Sequence, residues 1–211
     1  MQIVPAILTG KKDEFQRMVR LSEEFAETIQ IDIMDGKFVE SKSVSQEDIK
    51  GIECSKYAEA HLMVEEPLDW IDVFKSCGAK RIIIHYEIKA EKEPVIQNIR
   101  AAGLSAGLAV NPYTQIKDFR HLVDKVDTVL FMSVIPGFYG AKFIPEVLDK
   151  IKGFKKEFAD KPIGIDGGVK IDNIDNIVSL GIDFICVGSS ILKASDPAAS
   201  YSEFTGHLGG K

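Results

Sequence analysis

A closed barrel of eight parallel β-strands, with helices or loops between them, is the fold this sequence predicts. Three observations predict it. Short runs rich in Ile, Val and Leu alternate along the chain with amphipathic stretches. The runs are too continuous for a half-exposed sheet, as expected when helices cover one side and a packed interior the other. Several close on a polar or glycine-rich segment: Ile31-Asp32-Ile33-Met34-Asp35-Gly36, Ala60-His61-Leu62-Met63-Val64, Met132-Ser133-Val134-Ile135-Pro136-Gly137-Phe138-Tyr139 and Ile165-Asp166-Gly167-Gly168-Val169. A (β/α)8 TIM barrel gathers the C-terminal ends of its strands at one face, where its chemistry sits. A doubly wound open sheet would show the same alternation, which gives order but not closure.

The strands are expected at Ile3–Leu8, Thr28–Ile33, Tyr57–Met63, Arg81–His85, Leu104–Val110, Thr128–Met132, Pro162–Asp166 and Phe184–Val187. Between them, Asp13–Phe25 brings Phe15, Met18, Val19 and Phe25 near one helical face. Pro145–Phe158 does the same with Val147, Leu148, Ile151 and Phe154. Pro67, Pro94 and Pro145 stand where helices should start. Gly78, Gly103 and Gly181 each end a helical stretch just before the next strand, a weak internal echo. The 211 residues, 45% hydrophobic, suffice for one domain over 1–211 and are too few for two ordinary ones.

The formal net charge is -6, and no basic cluster exceeds short runs such as Lys155-Lys156. Nucleic acid and anionic membrane are therefore not the expected partners. An anionic small molecule is not excluded, because backbone N–H groups bind phosphate without added Lys or Arg. Cys54, Cys77 and Cys186 are odd in number and form no C-x-x-C pair, so free thiols in a reducing compartment are expected. No charged n-region precedes an apolar stretch, and no run approaches the ~18–20 apolar residues of a membrane span. The protein reads as soluble and cytoplasmic.

Asp32 and Asp166 stand at the ends of strands two and seven, where burying an unpaired charge is costly. Each could be a helix cap or half of an ion pair. With His61 at the end of strand three they make three potential ligands from different strands, as an open catalytic metal site requires. Asp35, followed by Gly36, reads as a loop residue. His85 either lines the mouth or bonds a neighbouring loop; His121 and His207 read as surface residues. Gly137 and Gly140 follow strand six, Gly167 and Gly168 strand seven, and Gly188 and Ser189 strand eight. Loops after the last strands of such barrels commonly bind phosphate through backbone N–H groups, although tight turns would also use glycine. Met34, Met63 and Met132 fall at or just after strand ends. They are either core fillers or a lining for the reacting compound.

On these motifs the chain resembles the ribulose-phosphate 3-epimerase family over nearly its whole length. The most specific pieces are Asp32 to Val39, His61-Leu62-Met63-Val64 with Pro67, His85-Tyr86-Glu87, Asn111-Pro112-Tyr113-Thr114, Met132-Ser133-Val134, Pro136-Gly137-Phe138 and Asp166-Gly167-Gly168-Val169. The resemblance implies a ribulose-phosphate-binding (β/α)8 barrel and epimerisation of a phosphorylated ketose at carbon 3, such as ribulose 5-phosphate or a related pentulose or hexulose phosphate. It implies a divalent metal (Zn, Mn, Mg or Fe) held by Asp32, His61 and Asp166. It also implies a metal-stabilised enediolate, with Asp32 and Asp166 as acid and base, and a homo-oligomer. By the same token Met34, Met63, Met132 and His85 are expected to contact substrate. Five positions depart from the family pattern. Gln30 replaces a ligand histidine, Ala6 a serine that faces the substrate, Glu40-Ser41 a Pro-Asn, and Ala141 a glutamine. Gln30 offers at best a neutral amide oxygen, so a weaker metal site, or none, is expected. An altered substrate, or a phosphosugar-binding barrel without the original activity, remains the alternative reading. Decarboxylase and hexulose-phosphate synthase relatives carry Asp-x-Lys-x-x-Asp at this strand end, and here no lysine stands between Asp32 and Asp35.

Overall fold

The computed structural model describes residues 1–137 and 141–209. Eight parallel strands follow one another round a closed barrel. They are β1 (Gln2–Ile7), β2 (Thr28–Met34), β3 (Tyr57–Met63), β4 (Arg81–His85), β5 (Ser105–Val110), β6 (Thr128–Met132), β7 (Ile163–Asp166) and β8 (Phe184–Val187). The ring closes where β8 pairs with β1, from Gln2↔Phe184 to Pro5↔Val187. This closure decides against the open sheet. The strand bounds lie within a residue of the sequence expectation. By these bounds Asp32 and His61 sit two residues inside the ends of β2 and β3 rather than on them.

Alternation along each strand sorts the side chains into two cores. Ile29, Ile31, Ile33, Ile82, Ile84, Val129, Phe131, Ile163 and Ile165 face out and pack under the helices. Val4, Ala6, Ile83, Ala109, Leu130 and Cys186 fill the interior. The helix Lys12–Phe25 buries Phe15, Met18 and Val19, and the helix Glu146–Glu157 buries Val147, Ile151 and Phe154. Phe154 meets Phe131 edge-on at 5.2 Å between centroids and stacks on Phe119 at 6.0 Å. Truncating such a buried ring costs about 3–5 kcal/mol. Pro67 opens a 3-10 turn and Pro145 caps its helix. Pro94 is the third residue of the helix Lys92–Ala101, where its missing N–H is still outside the intrahelical bonds.

The N-terminal end of the barrel is closed. Arg81 ion-pairs with the buried Glu59 at 3.0 Å, and its guanidinium lies between the rings of Tyr57 and Phe184. The Phe184 ring covers Gly164, where a Cβ would come within 2.3 Å of it. All three cysteines are free and buried. Cys54 and Cys77, distant in sequence, bring their sulfurs to 3.4 Å because the loop before β3 runs past the end of the helix Ile71–Ser76. Among the described residues no helix is long and apolar enough to cross a membrane.

Candidate active site

The site begins with strand register. β2 and β3 pair with Asp32 opposite His61, and β7 pairs with β6 and β8 through Asp166 opposite Met132 and Cys186. Gln30, two residues before Asp32, shares its inward face. Four polar side chains thus meet in the barrel interior, with the Glu59–Arg81 ion pair below them and His85 behind His61. Gln30 Nε2 donates to Asp32 Oδ1 and to Asp166 Oδ2, both at 2.8 Å. His61 Nδ1 lies 3.0 Å from Asp32 Oδ1 and 3.4 Å from Asp166 Oδ2. Two nitrogens therefore lie against the same two carboxylate oxygens.

The sequence led us to expect the Gln30 amide oxygen at this point. The structure turns the amide the other way. Its oxygen is 3.1 Å from Cys186 Sγ and accepts from the thiol, while the NH2 serves the carboxylates. The reason is charge: two buried carboxylates repel a carbonyl oxygen and bind an N–H.

Electrostatics follow the same geometry. Burial and the charge of Asp166 hold the Asp32 carboxyl above its ordinary value, against the N–H groups of His61 and Gln30. Burial would lower His61, but bonds and charges from Asp166 and Asp32 outweigh it and raise the imidazole to about 9. His85 behaves oppositely. Burial, with the charge of His61, pushes it down to about 4 despite Glu87.

His85 is not where a substrate contact was expected. It is fully buried, stacked behind His61 at 5.0 Å between ring centroids and covered by Phe38 at 4.8 Å. Its Nε2 lies 2.9 Å from His61 Nε2, and its Nδ1 lies 3.3 Å from Glu87 Oε2. His61 stands between it and the cavity. The other sequence alternative, a bond to a neighbouring loop, describes His85 better, since Glu87 is fastened to the loop after β5. Asp35 has the expected loop role: its carboxylate accepts from the N–H groups of Lys37, Phe38 and Glu65. His121 and His207 lie in 3-10 turns away from the site.

Above the polar cluster opens a cavity of about 310 Å³. Met34, Met63 and Met132 line it, and so do Gly137, Gly167, Gly168, Gly188 and Ser189. Gly140 lies outside the described residues, as do Phe138 and Tyr139 of its loop. Gly167 and Gly168 have φ of +113° and +64°, and a Cβ on Gly168 would come within 3.0 Å of the Phe143 backbone nitrogen. The loop after β7 therefore needs glycine for conformation and for close approach. Ser133 anchors it, donating its hydroxyl to the carbonyls of Asp166 and Gly167 at 3.0 and 2.6 Å. Among the cavity residues that sequence reasoning passed over are Cys186 and Lys170. Cys186 could have been found by counting inward positions back from Gly188. Lys170 carries no such signal, because it lies on an irregular loop.

Asp32, His61 and Asp166 each offer a ligand atom, all within 4.8 Å of one another. Two carboxylates and an imidazole from three strands fit a divalent cation with open positions. The contacts agree with that fit: N–H groups bridge the two carboxylates where positive charge is needed. Among the four polar groups only Gln30 would have to turn, since an amide nitrogen has no lone pair for a metal.

Known proteins are similar to the chain along its length. The profile of the Ribulose-phosphate 3 epimerase family matches residues 2–192. The cytoplasmic isoform of ribulose-phosphate 3-epimerase from Oryza sativa subsp. japonica is 35% identical over 206 residues, covering 93% of this chain and 89% of its own. Ribulose-phosphate 3-epimerase from Bacillus subtilis (strain 168) is 32% identical over 214 residues, covering 98% and 99%. Among solved structures, 3-hexulose-6-phosphate synthase from Salmonella typhimurium superposes with a TM-score of 0.73 at 17% identity, over 99% of this chain and 98% of that one. KGPDC from Streptococcus mutans in complex with D-R5P gives 0.74 at 11%, over 98% and 96%. The two structures speak for the barrel alone. With the profile spanning nearly all of the barrel and relatives above 30% identity along its length, the chain belongs to the ribulose-phosphate 3-epimerase family.

Proposed function

We propose that the protein epimerises a phosphorylated pentulose at carbon 3, with ribulose 5-phosphate as substrate, in keeping with the ribulose phosphate in its relatives' names. The observation that carries this reading is the pair of buried carboxylates, Asp32 and Asp166, at the base of the cavity. Inverting a carbon centre needs a base on one face of the sugar and an acid on the other. Asp32 from β2 and Asp166 from β7 take those roles. One removes the carbon 3 proton, and the other returns a proton to the opposite face. In the reverse reaction the roles exchange.

Asp32, His61 and Asp166 are assigned as the ligands of a divalent cation. When bound, such a cation supplies positive charge to the oxygens of the enediolate. Two hard oxygen donors and one nitrogen suit Mn²⁺ or Mg²⁺ as well as Zn²⁺, with Zn²⁺ the tighter by intrinsic order. Met34, Met63 and Met132 exclude water above the reacting carbon. The substrate phosphate is assigned to the loops bearing Gly137, Gly140, Gly167, Gly168, Gly188 and Ser189, with the Lys170 ammonium at their edge. The positive φ at Gly167 and Gly168 supports this, since it leaves backbone N–H groups uncovered by side chains.

Deuterium wash-in tests the reaction. Ribulose 5-phosphate incubated with the metal-supplemented protein in heavy water should gain one deuteron at carbon 3 as its epimer forms. A protein that binds the sugar phosphate without exchanging that hydrogen is a binding module, and the proposal fails.

A further inference from the structure

His61 can hold a cation through Nδ1 only if that nitrogen carries a lone pair, and its other nitrogen must then carry the proton. A chain of groups behind it, the buried His85 and the half-buried Glu87, decides between the two tautomers. Glu87 is anchored through one oxygen: Oε1 accepts from Asn111 N at 2.9 Å and from the Thr114 hydroxyl. Its other oxygen, Oε2, faces His85 Nδ1 at 3.3 Å. A carboxylate only accepts, so His85 Nδ1 bears the hydrogen. The Nε2 of a neutral His85 is then bare and accepts from His61 Nε2–H across 2.9 Å. That leaves His61 Nδ1 as the nitrogen turned to Asp32 and Asp166.

We infer that Glu87 is a positioning residue that acts through His85 to set the tautomer in which His61 presents Nδ1 to the metal. The assignment deepens the metal reading above and rests on it. Glu87 touches neither the cavity nor the proposed ligands. Its geometry nonetheless fixes which His61 nitrogen is free. Outer partners of this kind typically change metal affinity by about 10–100-fold.

Glu87→Gln tests it sharply. The amide oxygen would keep the place on Asn111 N–H and the Thr114 hydroxyl, which puts the NH2 against His85 Nδ1. His85 must then accept there and carry its hydrogen on Nε2, pointed at His61. The one hydrogen that a neutral His61 keeps then sits on Nδ1, which cannot ligate. Two measurements on protein labelled with ¹⁵N histidine read this without substrate. Proton–nitrogen correlation spectra report which ring nitrogens are protonated, and titration with Zn²⁺ alone reports affinity. Wild type should show His85 with Nδ1–H and a bare Nε2. Glu87→Gln should reverse that pattern and bind Zn²⁺ about 10–100-fold more weakly. Thr114→Val is the control for a purely structural role: it loosens the loop but leaves Oε2 on His85, so zinc affinity should stay near wild type.

A wild-type His85 protonated on Nε2 overturns the inference, even if Glu87→Gln does not fold. So does a Glu87→Gln variant with unchanged zinc affinity, or a Thr114→Val variant that loses as much. Wild-type protein that takes up no divalent ion would sink the metal reading instead, while the His85 spectrum would still decide the relay.

Discussion

Replacing Gln30 by Met keeps the volume and the unbranched stem of the side chain and removes the NH2 that bridges Asp32 and Asp166. Both lost bonds are 2.8 Å long and end on buried carboxylates. A hydrogen bond to a charged group contributes about 1.5–3 kcal/mol, so the two together amount to about 3–6 kcal/mol. Burying a thioether instead of an amide returns about 1–2 kcal/mol. The expected net loss in metal-free protein is about 1–5 kcal/mol, or roughly 2–20 °C in Tm for a chain of this size. Urea unfolding in chelator measures it. Repeating the series with saturating Mn²⁺ should shrink the difference, because a cation then supplies the charge the amide gave. If Gln30→Met unfolds within about 0.5 kcal/mol of wild type in chelator, the range of inconsequential substitutions, the amide does not bridge the carboxylates. The companion Gln30→His restores an imidazole beside three donors already placed. Its zinc affinity should rise above wild type, and an unchanged affinity would mean that position 30 does not reach the ion. Wild-type protein should lose its metal on dialysis; stoichiometric, chelator-resistant zinc would contradict the weakened site.

Asp32→Asn and Asp166→Asn should each lower turnover by at least the ~10²–10⁴-fold typical of general acid–base catalysis; near-wild-type epimerisation by either variant removes that carboxylate from the mechanism. Stability of chelated protein should fall as pH rises. His61 keeps in the fold, up to about 9, a proton that the unfolded chain releases near 6.5, so its contribution is complete below 6.5 and lost toward 9. Glu59, raised by burial to about 7, adds to the fall between 4.5 and 7. His85, lowered to about 4, has the opposite sign and costs stability as pH drops from 6.5. Urea midpoints between pH 6.5 and 9 that stay flat or climb would contradict the His61 environment. Gly164→Ala should destabilise by about 1–3 kcal/mol through overpacking, because its Cβ meets the Phe184 ring at 2.3 Å; an unchanged thermal midpoint would show that the ring can step aside.

Strand positions were readable because buried parallel strands are near-continuous apolar runs, and Gly or Pro bounds most of them. The ligand trio was readable for a related reason, since ionisable residues stand out against such runs. What the sequence hid were relations across strands. It could name His85 as inward but not reveal that His61 stands in front of it. It could name Gln30 as a departure but not the direction of its amide, which depends on Asp166, 136 residues away, and on Cys186. The contact between Cys54 and Cys77 was equally hidden, because it is made by a loop passing a helix end. Lys170 had no periodic pattern to mark it.

Among the described residues, the ion pair of Glu59 with Arg81 and the ring of Phe184 fill the N-terminal end of the barrel and make it a cup whose cavity opens at the other end. Sugar, product, water and any proton they exchange share one route past the methionines and the glycine loops. A proton taken from carbon 3 therefore has two fates: it returns to a sugar, or it leaves with water by the path that the substrate entered. The ratio of internal return to wash-out thus gauges traffic at the mouth. Substitutions at the rim should move that ratio, and substitutions in the floor should leave it alone as long as the floor stays shut.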